Sequence, residues 1–138
     1  MRAILRALAV AAAAVMVPVC ALAAEETLLV ELNTIESAET RCRLNFVIEN
    51  KSSTALESMR LDLVVFGSDG GILRRLLTEM GPVRPAKTMV RSFLVDAECR
   101  QFGAILVNDV AACVPGEPAA CLDGLGLSSR LKGVRLYK

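Results

Sequence analysis

Between Arg41 and Asn50 the chain alternates strictly in polarity. Cys42, Leu44, Phe46 and Ile48 fall on one face, with Arg43, Asn45 and Glu49 on the other. Successive side chains of a strand point to opposite faces, so this segment folds as a strand with one face on a core. Ser58 to Phe66 repeats the pattern, with Met59, Leu61, Leu63 and Val65 inward against Arg60 and Asp62. Asn50-Lys51-Ser52-Ser53 closes the first strand as a turn, and Gly67-Ser68-Asp69-Gly70-Gly71 closes the second as a hairpin connection.

The remaining apolar runs are equally short. Thr27 to Asn33, Ile72 to Thr78, Lys87 to Val95, Ala104 to Ala111 and Leu131 to Tyr137 read as further strands. The run Ala104 to Ala111 is almost wholly apolar, which suits a strand covered on both faces. The one competitor for helix, Ala119 to Leu125, is short and interrupted by Gly124. Gly81-Pro82, Arg84-Pro85 and Val114 to Pro118 are loops. The pattern predicts an all-β fold, an immunoglobulin-like antiparallel β-sandwich of about seven strands, with a small barrel as the alternative. The chain has no tryptophan, so the antibody-type core is missing and the likeness is one of architecture.

The first 23 residues read as an address. Arg2 and Arg6 precede an apolar run from Ala7 to Val17, Pro18 breaks it, and Ala21-Leu22-Ala23 has the small-x-small pattern of a signal peptidase site. That run is well short of the roughly 20 residues that span a bilayer as a helix. The expected cleavage between Ala23 and Ala24 places residues 24–138, a single domain, in the periplasm or outside the cell by the general secretory route, with no stable membrane span. Lipidation at Cys20 is the alternative fate of this region, but Val17-Pro18-Val19 is a poor lipobox. Removing Arg2 and Arg6 leaves fourteen Lys and Arg against fifteen Asp and Glu, a net charge of −1. So balanced a chain has no global field for nucleic acid.

Cys42, Cys99, Cys113 and Cys121 remain, an even number in an oxidising compartment, where disulfides are expected. Three pairings are open. The expected fold favours Cys113–Cys121 as a clip around a Pro/Gly loop and Cys42–Cys99 as a bridge between sheets. No C-x-x-C spacing is present, which disfavours a redox site.

The chain has no histidine, which removes Ser-His and Cys-His nucleophile pairs and imidazole acid–base chemistry. Ser129-Arg130-Leu131-Lys132 matches S-x-x-K, but it precedes a strand and lacks the large domain that this nucleophile motif needs. Gly124-Leu125-Gly126 does not complete a dinucleotide fingerprint. Asp96 and Glu98 form a close acidic pair without further ligands, and Met59, Met80 and Met89 are better explained by packing than by copper. No catalytic residue, cofactor or metal ligand is assigned. The end of the chain is basic, with Arg130, Lys132, Arg135 and Lys138. This strand either guards a sheet edge or receives an acidic partner.

Cys42-Arg-Leu-x-Phe-x-x-Glu-Asn50, Val107-Asn-Asp-Val-Ala-Ala-Cys113 and Leu127-Ser-Ser-Arg130 together resemble a group of uncharacterised secreted proteobacterial proteins. From Glu49 to Val95 the turn-strand-turn rhythm is also similar to small FxLYD-type immunoglobulin-like modules of bacterial envelopes, although their name-giving motif is not in this chain. The resemblance implies a fold and says little about activity. The expectation is a non-enzymatic periplasmic interaction or accessory module with an envelope protein as partner. The alternative is a periplasmic protein that binds a small ligand or a metal.

Overall fold

Alternation along the chain becomes two layers. The computed structural model describes residues 25–138; the expected leader with Cys20, and the expected cleavage site between Ala23 and Ala24, lie outside them. The strands are β1 (Leu28–Ala38), β2 (Arg41–Asn50), β3 (Ser58–Gly67), β4 (Ile72–Glu79), β5 (Lys87–Val95), β6 (Phe102–Val114), β7 (Leu125–Ser129) and β8 (Arg135–Tyr137). A 3-10 turn, Cys99–Gln101, precedes β6, and one short helix, α1 (Pro118–Asp123), follows it. The strands form two four-stranded sheets, ordered β5-β2-β1-β7 and β4-β3-β6-β8. Their facing sides make one core: Leu32, Leu44, Phe46 and Ile48 from the first sheet, and Leu61, Leu63, Val65 and Ile105 from the second. The architecture is all-β and sandwich-like.

Both sheets are mixed, which corrects the antiparallel expectation. β7 runs parallel to β1, pairing Leu28 with Leu125 and Leu32 with Ser129, and β8 runs parallel to β6. The departure lies in the last third of the chain, where the seven-strand reading had one strand too few. Leu125–Ser129 is a strand because the backbone of β1 offers it a ladder, although its own side chains show little alternation. The expected final strand, Leu131 to Tyr137, shrinks to Arg135–Tyr137, since Arg130 to Val134 turns from one sheet to the other. Helix α1 starts with proline at its first turn and stops at Gly124.

Two strands outrun their sequence signal. β1 continues past Asn33 through a register shift that returns Ile35 to the core side. β6 runs on to Val114 through shifts on either side of Asp62. A bulge reverses which parity faces inward, so a period-two reading stops where the strand does not. The hairpin between β3 and β4 forms as expected. Gly70, at φ +85°, takes the left-handed turn position that a side chain would disfavour, and Asp69 Oδ1 accepts from the Gly71 amide at 3.0 Å.

Candidate functional site

The cysteines are structural. Cys42 and Cys99 are bonded at 2.05 Å, joining β2 to the turn before β6 and hence one sheet to the other. Cys113 and Cys121 are bonded at 1.98 Å, clipping α1 to the end of β6. Gly116, at φ +136°, lets the loop pass over this clip; a Cβ there would stand 3.2 Å from Cys121 Sγ. All four thiols are therefore spent on bridges.

The basic C-terminal residues do not share one strand. Arg130 and Lys132 lie in the exposed turn before β8. Arg135 is on β8, with its guanidinium 5.1 Å from the Tyr137 ring centre, a cation–π pair. Lys138 turns back instead. Its Nζ donates to the carbonyls of Leu122, Asp123 and Leu125 at 2.6, 3.2 and 2.7 Å. It thereby satisfies acceptors that the end of a helix leaves without partners. Ser129 Oγ of the S-x-x-K match donates to Val134 O at 2.6 Å and accepts from the Leu131 amide at 3.2 Å, so it too is a tie within the fold. Asp96 lies 3.8 Å from Arg74 and Glu98 pairs with Arg100. Met59 and Met80 are buried in the core, with Met89 packed against it.

Two carboxylates have displaced pKa values, and both are lowered. The hydrogen bond from Arg75 holds Asp62 below its ordinary 3.8, against some burial, and Asn108 adds a second donor. At Glu79, burial pushes upward but is outweighed by bonds from the Ser58 hydroxyl and the amides of Met59 and Gly81, at 2.7, 2.7 and 2.8 Å. These are ionised acceptors that fasten β4 to β3. A general acid needs its pKa raised, the opposite direction. Because both folded values are depressed, their stabilisation is full above the ordinary pKa and disappears as pH falls through the folded one. Glu79→Ala should cost about 1 kcal/mol at neutral pH, an estimate reduced for solvent screening. The mutant and parent should converge in urea denaturation as pH falls from the ordinary 4.5 through the depressed folded value, and a constant difference at every pH would refute this role.

What remains is surface. The outer face of β5-β2-β1-β7 is polar across its middle: Asn45 donates to Thr34 and Glu36 and accepts from Ser92. The outer face of β4-β3-β6-β8 differs. Register places Ile72, Phe66, Ala104 and Arg135 in one row and Arg75, Val64, Leu106 and Tyr137 in the next. The expectation that the Ala104 run is covered on both faces is therefore half met. Ile105 and Val107 enter the core; on the outer side Ala104 and its neighbour Val64 are each 7% exposed, while Leu106 and Phe66 are half-buried. The apolar character of β6 is matched by a second, partly shielded face on which Leu106 and Phe66 are half-buried.

That face ends at a long edge strand. Four of the five large apolar residues most exposed among those described lie on edge strands β4 and β5: Ile72 (69%), Leu77 (55%), Val90 (59%) and Leu94 (44%). β4 and β5 flank the same side of the sandwich, tied by Arg74 to Asp96 and by Arg91 Nη2 to Gly81 O at 3.0 Å. The opposite flank has edge strands of five and three residues, which are closed by Ser129 and Lys138. A concavity of about 420 Å³ lies near that closed flank, lined by Phe66, Ser68, Arg135, Tyr137 and several glycines. Among the described residues no group of three or more His, Cys, Asp or Glu is placed to hold a metal. No helix there is long and apolar enough to cross a membrane. Sequence reasoning had no route to the edge, because strand order is what makes β4 terminal. No family model, curated protein or solved structure matches the chain.

Proposed function

We propose that the mature domain is a non-enzymatic interaction module of the cell envelope, an immunoglobulin-like sandwich that reaches the periplasm by the general secretory route. The observation that carries this reading is the edge strand β4, whose Ile72 and Leu77 stand exposed beside the half-buried Phe66 and Leu106 of the outer face of β4-β3-β6-β8. Large apolar side chains left exposed along a strand edge mark a docking site. Arg and Tyr, here Arg135 and Tyr137, are residues enriched where proteins meet. Disulfides occupying all four mature cysteines, and ionised carboxylates used as acceptors, favour binding over catalysis. The bridge from Cys42 across the sheets supports the immunoglobulin-like assignment and the likeness to secreted proteobacterial proteins.

A photo-crosslinking residue installed in living cells at Phe66 or Leu77 should trap a discrete protein adduct. The same residue at Asn45, on the polar outer face, should trap none. Equal labelling from all three positions, or none from any, ends this proposal. The second reading, a small anionic ligand in the Arg135 concavity, would show instead as a molecule retained by the purified protein in native mass spectrometry and lost with Arg135→Ala.

A further inference from the structure

The side of the sandwich formed by β4, its following loop and β5 has a charge of its own. Residues 72–96 contain Arg74, Arg75, Arg84, Lys87 and Arg91 against Glu79 and Asp96, a net +3, while the rest of residues 25–138 carries −4. Arg75 is committed to Asp62, but Arg74 meets Asp96 only at 3.8 Å with both side chains exposed, and Arg84 and Lys87 have no ion pair among the described residues. The backbone is open as well. From Arg75 to Thr78, the described backbone hydrogen bonds of β4 belong to its ladder with β3. Arg74 donates to Leu73 O at 2.7 Å, the single side-chain bond among the described residues to a backbone group of β4.

We infer that β4 takes up an extended acidic segment of a partner protein by strand addition, a reading that rests on the interaction function proposed above. Open backbone groups supply the pairing, and side chains of alternate parity supply the choice of partner. Added to β4, one parity of the segment lies beside Ile72 and Leu77 on the apolar outer face. The other parity meets the rim between the sheets, where Arg74 and Arg91 stand. The segment therefore alternates apolar and acidic residues. A second copy of this chain is a poor occupant, since it would bring the same +3 flank against itself. An anionic membrane would meet the charge but would leave the backbone edge without partners. The basic C-terminal segment is a weaker candidate, because its strand is three residues long and Lys138 is already bonded.

The probe is an end-capped peptide alternating glutamate and valine, matched in length to β4, titrated into the disulfide-bonded mature domain and followed by fluorescence anisotropy. Saturable binding is expected, with new amide-exchange protection confined to residues 73–78. Arg74→Glu and Leu77→Asp should each weaken binding by about tenfold or more. Arg135→Glu on the far flank should leave it unchanged. Circular dichroism of each variant separates lost binding from lost folding, and Arg74→Gln offers a milder substitution should Arg74→Glu unfold.

Equal affinity for a control peptide of the same length alternating lysine and valine would overturn the inference. So would protection appearing at β5 or β8, dimerisation through β4 in sedimentation, or Arg74-dependent binding to phosphatidylglycerol vesicles without binding of the peptide. In the cellular crosslinking experiment, an adduct at Leu77 whose captured segment is not acidic sinks the acidic-strand inference alone. Absence of adducts at both Phe66 and Leu77 sinks the interaction function itself.

Discussion

Replacing Cys42 and Cys99 together by alanine should lower the unfolding free energy by about 4 kcal/mol, through release of a long loop in the unfolded chain. The bridge spans 57 residues, and the chain-entropy cost it removes grows with the logarithm of that span. Cys113–Cys121 spans only 8, so its removal should cost about 2.5 kcal/mol on the same account. Alanine is the correct replacement at Cys42, because a serine hydroxyl would be buried there without a designed partner. Urea denaturation of both double mutants at one pH makes the comparison. Equal losses, or a larger loss at the short clip, would show that packing around the sulfurs outweighs loop closure. A domain of this size has roughly 5–15 kcal/mol in total, so loss of the long bridge leaves it near the threshold of folding. The bridge also ties β2 of one sheet to the turn that leads into β6 of the other.

Phe46→Ala should cost about 3–5 kcal/mol, the range for truncating a buried aromatic side chain. Phe46 is fully buried at the centre of β2, between β1 and β5, and its ring lies 6.0 Å from that of Phe93 at an interplanar angle of 58°. The loss combines transfer of the ring to water, the cavity left behind and the aromatic pair. Phe93→Leu, partly buried at the edge strand, should cost clearly less. A chemical denaturation series with unchanged slope would confirm that the native state alone is affected. If Phe93→Leu proved as damaging as Phe46→Ala, the core would be centred nearer β5 than burial indicates.

Much of the first two thirds of the fold was legible from residue order. Arg41–Asn50 and Lys87–Val95 are strands with the expected bounds, and β3 and β4 each extend one residue further than the sequence suggested. β2 alternates cleanly because it has one face on the core and one toward solvent, whereas β4 shows its apolar residues in pairs around a register shift at Leu73. The last third was harder to read. β7 and β8 owe their conformation to ladders supplied by β1 and β6, and a five- or three-residue strand contains too few side chains to show a period. The candidate surface was legible only in part. The apolar run of β6 correctly signals an apolar character on both faces, but it cannot reveal that β4 ends the sheet and leaves Ile72 and Leu77 exposed.

Residue order by itself determined the absence of imidazole chemistry, the four cysteines that follow residue 24 and the side of each regular strand that seeks a core. Those properties are local, set by side-chain identity and by the two-residue period of a strand. Tertiary structure decided which strands end their sheets, and with that where backbone groups and large apolar residues stay open. It also separated the basic residues near the C-terminus, turning Lys138 onto three carbonyls while leaving Arg135 on the face of Tyr137. The reason is physical. An edge exists only relative to its neighbours, and a charge is available to a partner only after the fold has taken the donors it needs.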